Sequence, residues 1–539
     1  MQRRFWVCLG MIVPLFVVAP SWAAPVDCDI LLKGGTLHDG TGAPPRVGDV
    51  AIRDGRIVAV GTAALGHIEP GKVGLVLECK GLVIAPGFVD LHTHSDDSIV
   101  DPRTRTNTNY LLQGCTTIVT GNCGSGPVDV GAFYEKIEKT GAGSNVAHLL
   151  PHGSIRDKVL GTEQRAATPE ELARMAELVR AGMKDGAWGM STGLIYVPSS
   201  YSDTDELIAL TKVVAEHKGL YASHIRGEGT GLLKSIDEAL RIGRDTGAPV
   251  HVSHFKASGR DAWGLIREAA KMIESARGEG RPVTADQYPY VASSTSLEAT
   301  LIPTWARAGG SKELVKRIED AEQGPRVREA IAKSLEGTEG GAAVRIARFA
   351  PRPEWVGKNL VEIAKLDETT PLEIVLKITR MGGAAIVNFS MSEEDVRFAM
   401  ALPWVATASD GRGYLPGADK PHPRSYGTFS RKIGHYSIAE AVVPLEQAIH
   451  SSSGLPAKIL GLADRGTLVE GSWADVVVFD PAEFRDRATF DDPHQYSTGM
   501  RYVLVNGVPA VWRGQPTGAL AGKVLRHGSA GSVSEDGKK

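Results

Sequence analysis

From about residue 86 the chain alternates short apolar runs with longer stretches whose apolar residues recur at helical spacing. The runs lie near Phe88–His92, Thr116–Thr120, Val146–Leu150, Gly189–Thr192, Leu220–His224, Val250–His254, Val283–Gln287 and Val405–Ser409. Their length suits strands buried on both faces. Between them, Pro169–Asp185 and Asp203–His217 carry amphipathic helix patterns. Eight buried strands alternating with helices predict an α/β fold, a parallel (β/α)8 barrel of the TIM type.

The rhythm differs at both ends. Short strand patterns punctuated by Gly and Asp appear at Asp29–Leu32, Asp49–Ile52, Arg56–Val60 and Val83–Ala85. Others return at Asp475–Asp480, Val503–Val505 and Ala510–Trp512. Residues 24–85 and 451–525 are therefore expected to form one small β-sandwich around a barrel spanning 86–450. More than a hundred residues separate the seventh and eighth runs, too many for a bare loop. They hold charged, helical sequence from Lys312 to Lys333 and an apolar run at Ala385–Phe389. This predicts a helical insertion over about 300–385, placed as a lid on a barrel loop.

Composition adds limits. The net charge is -3, which offers no basic face for nucleic acid. Arg3 and Arg4, the apolar stretch Phe5–Ala19 and the small-residue pattern Ser21-Trp22-Ala23 predict a signal peptide over 1–23. Its cleavage would leave an exported chain, periplasmic or secreted, with no membrane span, since no later segment is apolar enough to cross a bilayer. Cys28, Cys79, Cys115 and Cys123 would remain, too few for a disulfide framework. A single Cys28–Cys79 bridge is conceivable in an oxidising compartment. Residues 526–539, rich in Gly, Ser and charge, are expected to be a disordered tail. Oligomeric state is not legible.

The candidate chemistry sits at the ends of the barrel strands. His92-Thr93-His94 closes the first, and alternate strand residues point the same way, so two imidazoles converge at the mouth. Cys123, between Asn122 and Gly124 after the second strand, offers a thiolate suited to zinc. His224 ends the fifth strand, His254 the sixth and Asp410 the eighth. His251 is out of phase with His254 and should face away. His152, ending the third strand, is expected to support the site rather than enter it.

These residues, in this order on a strand–helix barrel, resemble the amidohydrolase superfamily, and within it the D-aminoacylase (N-acyl-D-amino-acid deacylase) branch. The similarity runs from Gly34-Gly35-Thr36 through Pro456–Leu462 to Ala474-Asp475-Val476. The branch rests on Gly121-Asn122-Cys123-Gly124, Ser191-Thr192-Gly193-Leu194-Ile195-Tyr196 and His422-Pro423-Arg424-Ser425-Tyr426-Gly427. The fourth strand, Gly189-Met190-Ser191-Thr192-Gly193, lacks the lysine that bridges two metals in hydantoinases and dihydroorotases.

The resemblance implies a tight zinc site on Cys123, His224 and His254, and a second, weaker site on His92, His94 and Asp410. It implies Asp410 as general base and then general acid. Lys256 and Arg424 would bind a substrate carboxylate, and Tyr288 would stabilise the oxyanion. Tyr196 and Ser294 would line the pocket, and Arg226 and Glu228 would pair behind it. The expected reaction is hydrolysis of small-molecule N-acyl-D-amino acids. Hydrolysis of D-dipeptides or cyclic amides, and a silent zinc-binding barrel, are the alternatives.

Overall fold

The computed structural model describes residues 27–61 and 73–528. The expected signal segment and the chain beyond Gly528 lie outside the described residues.

All eight apolar runs form parallel strands. Phe88–Asp90 pairs with Cys115–Thr120, which pairs with Asn145–His148. Leu150–Pro151 continues the third position and pairs with Gly189–Gly193. Leu220–His224, Val250–Val252, Val283–Gln287 and Val405–Thr407 follow in that order. The ring closes where the Asp410 N–H donates to the His92 carbonyl at 2.8 Å and the His94 N–H to Gly411 at 2.7 Å. Closure therefore falls on the site residues themselves.

Helices cover the outside. Pro169–Lys184 starts at a reciprocal cap in which the Thr168 hydroxyl accepts from the Glu171 N–H and the Glu171 carboxylate from the Thr168 N–H. Asp203 caps Thr204–Glu216 by accepting from the Glu206 N–H. Such a cap is worth about 1 kcal/mol, so both starts are fixed locally. The apolar faces then dock on the barrel.

The two chain ends join in one continuously hydrogen-bonded sheet of nine strands, with its own core. Val83–Pro86 from the N-terminal half pairs antiparallel with Val476–Phe479 from the C-terminal half. A buried network fixes the sheet to the barrel. Asp475 pairs with Arg465, accepts from the Asn145 side chain at 3.0 Å and accepts from the Asn506 N–H at 2.7 Å.

The insertion is wider and more varied than the helical stretch expected over 300–385. Ala292–Ser296, Val344–Arg348 and Ala385–Phe389 form an antiparallel sheet of three strands. Helices Ser311–Glu319, Gln323–Glu336, Leu360–Leu366 and Pro371–Arg380 pack into a separate core with Trp355. Ala385–Phe389 is the apolar run seen in the sequence; Ala292–Ser296 and Val344–Arg348 escape the pattern because they are short and pair only across long separations. Cys28 and Cys79 are free buried thiols in different core clusters, so the conceivable bridge is not formed. The start of the expected tail is ordered: Arg526 pairs with Glu138, and the His527 ring packs on Trp188 at 5.1 Å. Among the described residues no helix is long and apolar enough to cross a membrane.

Candidate metal centre

The mouth of the barrel gathers six potential ligands in two overlapping groups. In one, Cys123, His224 and His254 have ligand atoms all within 4.8 Å of one another. In the other, His92, His94, Cys123 and Asp410 meet the same limit. Cys123 belongs to both. The sequence reading assigned it to the first group alone; the geometry places its sulfur between the two.

Three of these residues hold left-handed backbone: Cys123 with φ 52°, His254 with φ 38° and Asp410 with φ 50°. Each costs on the order of 1 kcal/mol or more, tolerated where surrounding structure over-determines the conformation. Around Cys123 those restraints are visible. Asn122 donates its side-chain amide to Leu91 and Val119 carbonyls at 3.1 and 3.0 Å. Asp96 accepts from the Gly121 N–H at 2.8 Å. Ser191, on the lysine-free fourth strand, donates to the Gly121 carbonyl and accepts from the Gly124 N–H. Gly193 must lack a side chain, because a Cβ there would lie 2.1 Å from the Cys123 carbonyl oxygen. The fourth strand thus buttresses the thiolate.

The donor set fits a cation. His254 Nε2 and His224 Nδ1 face each other at 2.6 Å, and both approach Cys123 Sγ, at 3.9 and 3.8 Å. Glu228 Oε1, 2.9 Å from His254 Nδ1, can accept a proton held there and leave the Nε2 lone pair free, while Lys256 Nζ stands 2.8 Å from the same nitrogen. Burial pushes the Cys123 thiol up, but the His92 charge and hydrogen bonds from His224, His254 and His92 outweigh it and hold the thiol well below its usual value. A thiolate with converging imidazoles and a carboxylate is a zinc donor set.

In the second group, His94 Nε2 lies 2.9 Å from Asp410 Oδ1 and His92 Nε2 lies 3.3 Å from it. Burial raises the Asp410 carboxyl, yet Arg424, His92 and the His94 hydrogen bond dominate and keep it ionised. Arg424 Nη1 is 2.7 Å from Asp410 Oδ2. That is ion-pair range, although the angle is poor for a hydrogen bond and Nη1 has no other partner.

A cavity of about 960 Å³ opens over the site, with His94, Cys123, Asp410, Arg424, Tyr196 and Ser294 in its wall. The Tyr196 hydroxyl meets Thr295 at 3.0 Å, and Ser294 donates to the Ile386 carbonyl at 2.9 Å. Lys256 and Tyr288 stand beside His254: Lys256 Nζ lies 2.8 Å from its Nδ1, and the Tyr288 ring meets the imidazole edge-on at 6.5 Å. Lys256, expected to offer a free cation, is already held by Glu228 at 2.5 Å. Tyr288 has a buried hydroxyl without a partner, and the Arg424 guanidinium stacks 4.8 Å from its ring centre. The expected Arg226–Glu228 pair does not form. Arg226 pairs with Glu238 at 3.0 Å, and Glu228 turns inward to Lys256 and His254. Sequence phase could not separate two carboxylates ten residues apart on a loop and a helix.

Asp286 was missed. Its Oδ2 sits 3.3 Å from His92 Nδ1 and 2.9 Å from His251 Nε2, and its Oδ1 accepts from the His254 N–H at 2.7 Å. It thereby holds Nδ1 of His92 and the backbone of His254. The available signal was an acid one position before the end of the seventh strand. His251 faces this carboxylate rather than the cavity. His152 is bonded to Ser199 and Glu206, away from the ligand cluster.

The chain is similar to known proteins over most of its length. The sequence model of the amidohydrolase family matches residues 76–511. A D-aminoacylase of Alcaligenes xylosoxydans xylosoxydans is 36% identical over 526 residues, covering 93% of this chain and 98% of that protein. The crystal structure of N-acyl-D-glutamate deacylase from Bordetella bronchiseptica, complexed with zinc and a phosphonate mimic of the tetrahedral intermediate, matches with a TM-score of 0.78 at 33% identity. It covers 93% of this chain and all of that one. A D-aminoacylase structure described for one-metal activation and second-metal attenuation of a binuclear centre matches with a TM-score of 0.79, at the same identity and coverage.

Proposed function

Because the chain belongs to the amidohydrolase family, we propose that it is a zinc-dependent hydrolase that cleaves N-acyl-D-amino acids into a carboxylate and a free D-amino acid. The observation that carries this is the Cys123-centred donor set at the mouth of a closed barrel, beside an ionised Asp410 and the Arg424 guanidinium.

Cys123, His224 and His254 would hold the tight zinc, and His92, His94 and Asp410, sharing Cys123, a weaker second ion. When bound, zinc supplies Lewis acidity that polarises the amide carbonyl and acidifies water. Asp410 takes a proton from the attacking water and delivers it to the departing amine. His94 and Arg424 keep its carboxylate charged and aimed. Arg424, Nη2 of which donates to the Ser294 carbonyl at 3.2 Å, is the cation placed to bind the substrate carboxylate. Tyr288, with its unpartnered hydroxyl, can donate to the developing oxyanion. Lys256 acts mainly through Glu228 and His254, fixing the imidazole against the metal.

The N-terminal basic and apolar pattern supports export to the periplasm or beyond. Fractionation of cells expressing the full chain, with mass determination of the mature protein, tests this. Cytoplasmic protein with an intact N-terminus would refute it.

The activity is tested by amine release from N-acetyl-D-methionine and N-acetyl-L-methionine in parallel. Turnover of the D form alone, abolished by a chelator and restored by zinc, is expected. Preference for the L form, or chelator-resistant turnover, would overturn the reading.

A further inference from the structure

The cavity over the metal centre contains a carboxylate that the proposed mechanism does not use. Glu298 lies in the short helix Leu297–Leu301 of the insertion, and its side chain forms part of the same wall as Tyr196, Thr295 and Gly383. The Glu298 oxygens are close-packed against a glycine: a Cβ on Gly383 would sit 2.1 Å from Oε1. Gly383, with positive φ, leaves the space that the carboxylate occupies.

No ion pair neutralises this acid among the described residues. Arg307, whose charge acts on it, directs its guanidinium to the Ile195 carbonyl at 3.0 Å and the Thr304 hydroxyl at 3.3 Å. Burial raises the pKa of Glu298, a sign that its charge is poorly compensated. A partly buried carboxylate facing a substrate cavity gains most from a ligand that brings a cation with it.

We propose that Glu298 is a specificity residue that selects substrates carrying a cationic amine, placed away from the scissile amide. The amine can come from two sources: a basic D-side chain, or an amino group on the acyl portion. The cavity, at about 960 Å³, has room for either. This rests on the deacylase reading of the site and deepens it, because it names the class of substrate. Glu298 touches neither the metal ligands nor Asp410, so it acts on the choice of substrate.

The test compares kcat/KM of the zinc-loaded enzyme on N-acetyl-D-methionine, N-acetyl-D-lysine, glycyl-D-methionine and N-acetyl-D-glutamate, for the wild type, Glu298→Gln and Glu298→Lys. A charge-assisted hydrogen bond predicts a preference of about tenfold for one of the cationic substrates over the neutral one. Whichever is favoured identifies the source of the amine. The preference should vanish in Glu298→Gln and invert in Glu298→Lys, which should favour N-acetyl-D-glutamate. Circular dichroism and zinc content confirm that each variant is folded, and either variant alone suffices to read the ratio. Turnover of N-acetyl-D-methionine with no cationic preference, or a preference that survives both substitutions, would overturn the role of Glu298 and leave the deacylase reading standing. Turnover of none of the substrates would overturn the deacylase reading and this inference with it.

Discussion

Two buried histidine clusters lie on the same barrel and differ in how they are completed. In one, His152 Nδ1 meets the Ser199 hydroxyl at 2.7 Å and Nε2 meets Glu206 at 3.0 Å. Glu206 is itself paired with the Arg156 Nε at 3.1 Å. Both imidazole nitrogens are partnered, one acid serves both the imidazole and the guanidinium, and His152, Arg156 and Glu206 all lie on regular helices. In the other, His224 and His254 turn ring nitrogens toward each other and toward a thiolate, and His224 Nε2 has no partner. Three of its members hold left-handed backbone. Both clusters are buried histidine with acid, so burial and composition do not distinguish them. The imidazoles and the backbone do: one whose two nitrogens are both partnered on regular helices stabilises the fold, and a set that converges ring nitrogens on a thiolate at a strained mouth is built for a cation.

Four experiments would break or sharpen that contrast. The largest effect is expected from Asp410→Asn, which keeps the size of the side chain and removes the base. Turnover should fall about a thousandfold or more, with the zinc of the tight Cys123–His224–His254 site retained. Near-normal turnover would remove Asp410 from proton transfer. Glu206→Gln attacks the closed cluster instead. It leaves Arg156 buried without its counter-charge and should lower stability by about 3 kcal/mol in chemical denaturation. The zinc-loaded folded fraction should keep kcat/KM within about twofold, because the closed cluster serves packing. A selective loss of kcat would assign His152 to the site after all.

Asp286→Asn should weaken zinc binding by about 10- to 100-fold in competition with a chromophoric chelator, since a neutral amide orients His92 and His254 less firmly. Unchanged affinity would make Asp286 a packing residue. The smallest effect concerns His148. Its Nε2 lies 2.9 Å from the Pro127 carbonyl, and burial pushes its pKa down to about 4 from an ordinary 6.5. The unfolded chain therefore binds the proton more readily. Stability should be full above about pH 6.5 and decline as the pH falls toward 4, by about 2 kcal/mol between pH 7 and 5 from this residue alone. His148→Gln should flatten that slope in thermal unfolding. An unaltered slope would place the acid sensitivity elsewhere.

The barrel was legible because each buried strand is a contiguous apolar run and each covering helix carries its own period. The ligands were legible because strand ends project to one mouth, so His92, His94, His224, His254 and Asp410 could be placed by position on a strand. The three-stranded sheet of the insertion was not, since Ala292–Ser296 is almost wholly polar and pairs with the apolar run Ala385–Phe389 nearly a hundred residues away. Nor were the partners of charged side chains. Glu228 takes Lys256 and His254, Arg226 takes Glu238, and Asp286 serves His92, His251 and the His254 backbone. Local sequence determines which elements form and which way their residues point, because those depend on neighbours along the chain. Which charge meets which, and that Cys123 stands between two groups of ligands, depends on distances of a few ångströms between segments a hundred residues apart. Only the closed barrel sets those.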